Sequence, residues 1–261
     1  MTGYPAILFV SPDGGLIKHH IGFALPEQFL PVMEEAIKLE TDFQEKLAKF
    51  QKMPDDLPLN REMAKLYLQR YQVEKAEPIL AKMPDDVDLN RDFAIYYLGK
   101  NQIDKALLIK EKMPDDVKLN YEFVKTYLNQ GQFGEALILS DMILASDPKN
   151  TSGILPDMHY DIALSHARMI GRVNEELKQG YFETAAAHFQ IIIDKYPDSI
   201  RNEISQLYLG VVYSLVGQYD TSIEILEKLI SQTSDENMKK QAETNLKNVR
   251  QSAADAAAND N

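Results

Sequence analysis

Cysteine and tryptophan are both missing from the 261 residues. Without cysteine there is no disulfide, no thiolate nucleophile and no cysteine-ligated metal, so thiol chemistry is closed to these residues and no catalytic residue or cofactor is expected among them. Basic charge is also short: 28 Lys and Arg stand against 40 Asp and Glu, a formal net charge of −12. Nucleic-acid binding needs a basic surface to displace counterions from phosphates, so this balance argues against it and against anionic membrane surfaces. No apolar run approaches the length of a membrane span, and Met1-Thr2-Gly3-Tyr4-Pro5 lacks the character of a secretory signal. As written the chain is expected in the cytoplasm; an export leader upstream would place it in an exported or periplasmic compartment instead. A Gly-rich phosphate loop, a Gly-x-Ser-x-Gly elbow and a His-x-x-x-His spacing are missing too.

What is present is repetition. Met-Pro-Asp-Asp occurs at Met53, Met83 and Met113, a step of 30 residues each time. Leu59-Asn60-Arg61, Leu89-Asn90-Arg91 and Leu119-Asn120-Tyr121 follow in register, as do Tyr67, Tyr97 and Tyr127, then Ala76, Ala106 and Ala136. A fixed period of this size marks a stacked repeat array. Each unit reads as two helices: the Asp pair caps the first, a break follows (containing Gly or Asn in the second and third units), and the next proline ends the second.

These positions resemble the tetratricopeptide repeat, whose pattern has a small residue, a Tyr three later, an Ala nine beyond and a closing Pro. Ala64, Tyr67 and Ala76 fit, as do Ala94, Tyr97 and Ala106, and Val124, Tyr127 and Ala136. The third unit closes at Pro148, 34 residues after Pro114, so its second helix is expected about one turn longer than the first two. Asn60, Asn90 and Asn120 stand where the family carries a bulky aromatic. After a turn-rich connector at 150–156, one long helix is expected from Met158 to about Lys178, with Gly180 opening the next. Ala185, Phe189, Ile192 and Pro197 match the repeat spacing again, and Gly210, Tyr213, Gly217 and Ser222 match in a further pair. About five pairs result, then a polar capping helix over 237–252 and a patternless, disordered tail over 253–261.

The N-terminus is different. Tyr4 to Val10 and Leu16 to Ile21 are short β-prone runs flanking Pro12-Asp13-Gly14, which predicts a hairpin. Phe29, Met33, Ala36, Leu39, Phe43, Leu47 and Phe50 then share one helical face; Pro31 is either a kink or the helix start. With Gly3-Tyr4-Pro5 before the strand and Gly22 after the hairpin, this unit resembles the C-terminal half of a thioredoxin fold over residues 1–40. The resemblance implies that Pro5 matches the family's cis-proline position. The family's Cys-x-x-Cys half has no counterpart here, so the expectation is either a piece of a longer thioredoxin-like protein or a relic kept as an N-terminal cap.

The expected fold is therefore mainly α: a tetratricopeptide-like superhelix over 41–150 (units of 30, 30 and 34 residues) and 151–252, behind a small β-hairpin and helix. Asp55-Asp56, Asp85-Asp86 and Asp115-Asp116 read as helix caps ahead of calcium ligands, which need a larger oxygen cage. His19-His20 point to opposite strand faces and His159 and His166 have no metal spacing, so no metal is expected. The resemblance implies a peptide groove lined by the first helices: Arg61, Lys65 and Gln69; Arg91, Ile95 and Leu98; Lys118, Tyr121, Lys125 and Asn129. That set is basic, which suits an acidic peptide or chain-terminal carboxylate; the competing reading is solvated faces balancing nearby acids. Three functions follow as expectations: a protein-interaction scaffold for a peptide or client protein, part of a thiol–disulfide oxidoreductase or thioredoxin-like chaperone, or a homo-oligomerisation arm.

Overall fold

A computed structural model describes residues 5–259, so Gly3 and Tyr4 of the N-terminal resemblance lie outside the described residues. The chain divides into two compact units, Met1–Met113 and Pro114–Asn261. This division falls inside the third Met-Pro-Asp-Asp motif, between Met113 and Pro114.

In the first unit, β1 (Ala6–Val10) and β2 (Leu16–Ile21) pair antiparallel, with Leu8 opposite His19 and a register irregularity between Phe9 and Val10. Gly14 donates its N–H to the Ser11 carbonyl at 2.9 Å, closing the expected hairpin. Alternation along the strands sends Ile7, Phe9, Lys18 and His20 to one face. There Phe9 stacks on Phe29 of α1 (Pro26–Lys52) at 6.0 Å, and Lys18 pairs with Glu35 at 2.8 Å. The opposite face is bare: Leu8 is 62% exposed, Val10 57% and Ile21 52%. Helix α1 starts at Pro26 and runs through Pro31. Of its expected apolar face, Ala36 and Phe43 are buried, whereas Met33 and Leu39 are exposed. The two-stranded sheet and the first repeat are too small to cover the whole stripe.

Two tight anchors join this N-terminal piece to the first repeat. The buried Arg70 donates to Glu40 at 2.7 Å with its guanidinium 4.0 Å over the Phe43 ring, and its carbonyl accepts from Leu16 at 3.0 Å. Asp13 in the hairpin turn pairs with Lys75.

Helices α2 (Leu57–Gln69) and α3 (Val73–Lys82) form the first pair, and α4 (Val87–Gly99) and α5 (Ile103–Lys110) the second. Both begin in the same way. Asp56 and Asp86 accept from the N–H of Leu59 and Leu89, at 2.9 Å and 3.0 Å. Four residues further on, the buried Asn60 and Asn90 send their amides back to the Pro54 and Pro84 carbonyls, at 3.0 Å and 2.8 Å. The aspartate thus satisfies an orphan donor, and the proline carbonyl gives the buried asparagine amide an acceptor. Ala64, Ala76, Ala94 and Ala106 have no exposed surface, which lets the paired helices approach closely.

The second unit holds α6 (Val117–Asn129) and α7 (Phe133–Ser146), then α8 (Leu155–Ile170) and α9 (Glu175–Lys195), α10 (Asn202–Leu215) and α11 (Tyr219–Gln232), and α12 (Glu236–Asn259). Asp116 and Asn120 repeat the entry geometry, at 2.8 Å to Leu119 N–H and 2.8 Å to the Pro114 carbonyl. Helices α3 and α5 have 10 and 8 residues against 14 in α7, in the order that the repeat lengths predicted. The helix expected from Met158 to Lys178 is in fact interrupted. Gly171 ends α8, and Asn174 accepts from Leu177 N–H at 3.1 Å to start α9, with Gly180 inside it. An asparagine cap with Glu175 and Glu176 in the first turn is a stronger start than a glycine six residues on. Gly210 has no side chain because Leu226 fills the space a Cβ would take, and its carbonyl accepts from Ser222 at 2.7 Å. Finally, α12 continues through 253–259, expected as a tail, since its alanines are the strongest helix formers.

Asn90→Ala is expected to lower stability by about 1–3 kcal/mol, the cost of losing the two hydrogen bonds that its buried amide donates to the Pro84 and Asp86 carbonyls. Urea unfolding followed by circular dichroism checks this, with the folded-state spectrum unchanged.

Candidate peptide-binding surfaces

Three of the residues expected in the groove lie on α2 and three on α4, and most of their charge is already neutralised. Arg61 Nε donates to Asp86 Oδ2 at 2.7 Å, and Nη2 contacts the same oxygen. Asp86 therefore serves two masters, its other oxygen capping α4. Burial pushes its carboxyl up, but the hydrogen bonds from Arg61 and Leu89 outweigh this and hold it below the usual range. Lys65 pairs with Asp92 at 2.9 Å and Arg91 with Asp88 at 2.7 Å. Leu98 is only 9% exposed and belongs to the core. Gln69 and Ile95 remain open on the surface.

Lys65, Gln69 and Ile95 do come together. With Leu68, Asp92 and Tyr96 they line an open groove of about 380 Å³ between α2 and α4. Beside Tyr96, with ring centroids 6.4 Å apart, is Tyr71, and Lys100 Nζ lies 3.7 Å over the Tyr71 ring. Tyr71 is 55% exposed and has φ +58. The corresponding residues one and two periods later are Asn101 and Gly131, types that tolerate this left-handed conformation. A tyrosine there costs about 1–2 kcal/mol. Tyr71, Asp92, Tyr96 and Lys100 carry no groove motif in the sequence; the misfit of Tyr71 with its register partners Asn101 and Gly131 is the one signal there.

In the second unit, Tyr121 donates its hydroxyl to Asp161 at 2.6 Å, and burial together with this bond raises its pKa strongly. Lys125 pairs with Glu122 at 2.7 Å and lies 4.9 Å over the Tyr121 ring. Lys118 and Asn129 are exposed. Asn129 faces a different pocket, of about 410 Å³, whose lining includes Phe133, Ser165, Arg168, Arg172 and Tyr181. Pro5 is exposed, and its carbonyl accepts from Gly22 at 2.8 Å.

One titratable pair escaped the sequence reading because its members are on different helices. His159 of α8 and His188 of α9 meet Nδ1 to Nδ1 at 2.9 Å, so one ring donates and the other accepts. Burial pushes both pKa values down, His159 to about 4 with Lys195 adding to the effect, and His188 to about 3 with His159 and His166 adding. His166 bonds the Ile162 carbonyl through Nδ1 at 2.8 Å, and burial also lowers its pKa. Among the described residues no group of three or more His, Cys, Asp or Glu side chains is placed to hold a metal.

Residues 160–199, which run from α8 through α9, match the tetratricopeptide repeat family model. Within each unit, consecutive helices pack against one another as pairs, which is consistent with tetratricopeptide-like helical repeats. No curated protein matches the chain.

The histidine pair sets a pH dependence. Their folded pKa values of about 4 and about 3 lie below the ordinary 6.5, so unfolding takes up protons between these limits. Stability is fully present above pH 6.5 and is lost as pH falls toward 4, with a slope approaching about 1.4 kcal/mol per pH unit per imidazole. His188→Gln is expected to flatten this part of the curve, measured as thermal midpoint against pH.

Proposed function

We propose that this chain is a protein-interaction scaffold that holds an extended peptide or client segment across α2 and α4. One observation carries the reading: Lys65, Gln69 and Ile95, singled out as groove residues, line a single open groove with Tyr96. A concave surface with apolar and aromatic walls and a few polar groups is what peptide recognition uses. The α2–α4 cations have carboxylate partners, so affinity here comes from the Ile95, Tyr96 and Tyr71 surfaces and the Gln69 amide more than from charge. Tyr71, held in a costly backbone conformation and left exposed, fits a contact residue.

The groove makes a prediction. Peptides selected from a random displayed library on the whole protein are expected to bind Ile95→Asp at least about tenfold more weakly, a loss of about 1.4 kcal/mol. Unchanged affinity, by fluorescence polarisation, would sink the assignment.

A second reading is that the hairpin and α1 are the C-terminal half of a thioredoxin-like domain, within a thiol–disulfide oxidoreductase or thioredoxin-like chaperone whose repeats recruit clients. It is favoured by the uncovered sheet face, where Leu8, Val10 and Ile21 are all more than half exposed, and by Phe23, also exposed just beyond β2. An apolar face of this kind belongs against another layer. These residues contain no cysteine and perform no thiol chemistry themselves. Insulin reduction by protein made from the whole reading frame tests it: activity dependent on an upstream Cys-x-x-Cys is expected, and a frame without that motif removes the oxidoreductase.

A further inference from the structure

The arginines of this chain divide into two groups. Arg61, Arg70, Arg91, Arg201 and Arg250 each pair with a carboxylate. Arg168 and Arg172 have no side-chain hydrogen bond or ion pair among the described residues, and both line the same pocket beside the end of α6. In a chain where acids outnumber bases 40 to 28, two arginines without a carboxylate partner lining one pocket are an exception that asks for a cause.

The rest of the pocket has the same character. Asn129, Ser165 and the Tyr181 hydroxyl have no side-chain hydrogen-bond partner among the described residues either. The helical serines Ser140 and Ser205 bond back to carbonyls of their own helices; Ser165 makes no such bond. The wall behind these groups is aromatic, with Phe133 in edge contact with Tyr181 at 5.6 Å and with its centroid 4.8 Å from that of His166. No Asp or Glu lines the pocket. Arg168, in the last turn of α8, complements the helix dipole, but Arg172 lies past Gly171 and has no such role.

We propose that this pocket binds a phosphoserine or phosphothreonine in a partner peptide. The charge decides the ligand class. A single carboxylate carries one charge and two oxygens and leaves one guanidinium unneutralised, whereas a phosphate monoester carries close to two charges and three acceptor oxygens at pH 7. Two guanidinium forks with the Ser165 hydroxyl and the Asn129 amide supply donors to all three oxygens, and Phe133 and Tyr181 take the neighbouring side chain. A volume of about 410 Å³ accommodates one phosphorylated residue and part of its neighbour. The proposal rests on the scaffold reading but not on the α2–α4 groove.

The test uses the full chain labelled with ¹⁵N and titrated with N-acetyl-O-phosphoserine N-methylamide, then fluorescein-labelled degenerate pentapeptides centred on phosphoserine. Amide shifts at Asn129, Ser165 and Arg172 are expected, together with peptide binding that Arg168→Ala with Arg172→Ala weakens at least about tenfold and that falls with added salt. Both side chains are exposed, so circular dichroism of the double variant is expected to match the parent, and Arg168→Lys with Arg172→Lys to retain part of the affinity. Equal binding of the unphosphorylated or the glutamate-centred peptides overturns the proposal. So does a double variant that titrates like the parent, or a single-stranded oligoribonucleotide that perturbs the same amides more strongly. Ile95→Asp is expected to leave this titration unchanged, which separates a failure here from a failure of the α2–α4 groove.

Discussion

Four backbone N–H groups at the start of every helix, and the carbonyls of the turn before it, must find partners or stay in water. In the first three repeats this constraint is met by the same two side chains. The second aspartate of Met-Pro-Asp-Asp takes the N–H three residues on, and the asparagine four residues after it returns to the proline carbonyl. Both bonds are local, spanning six residues or fewer, so the helix entry is set by residues of its own segment. The alanines and aromatic residues that fill the pairs depend on this register; a slip of one residue would turn Asn60, Asn90 and Asn120 toward apolar surroundings with no acceptor. Asn202 does a related service at α10, its amide reaching the Tyr196 carbonyl at 3.3 Å.

The period, the helix pairs, their relative lengths and the hairpin were legible in the sequence because each is written in nearby residues. The Asn positions were visible too, but only as a departure from a family pattern; their bond to the proline carbonyl depends on a turn that folds back on itself. The break at 171–174 was misplaced because Gly180 looked like punctuation while Asn174, the actual cap, sat in an unremarkable polar run. Exposure of Met33 and Leu39 was not legible either, since periodicity shows that a helix has an apolar stripe and not how much of that stripe a small neighbour covers.

The surface chemistry was least legible. Arg61 and its partner Asp86 are 25 residues apart, and Tyr121 and Asp161 are 40 apart, so the neutralisation of the expected basic face is a property of the fold. Conversely, Arg168 and Arg172 drew no notice because nothing in a linear reading separates an arginine with a partner from one without. The His159–His188 contact is of the same kind: two ordinary histidines until α8 and α9 are laid side by side. Of the cations conspicuous in sequence, Arg61, Lys65, Arg91 and Lys125 are paired by the fold, and Lys118 is left exposed.

The entry device has a consequence for how such a chain grows. Because each Met-Pro-Asp-Asp segment and its asparagine make both the cap and the bond to the proline carbonyl within one segment, a 30-residue copy carries its own start signal wherever it is inserted. Tandem duplication can then lengthen the array without redesigning a junction, since the new seam meets the same side chains as the old one. The near-identity of the three motifs, beside the freer sequences after residue 150, is what recent in-frame copying would leave behind.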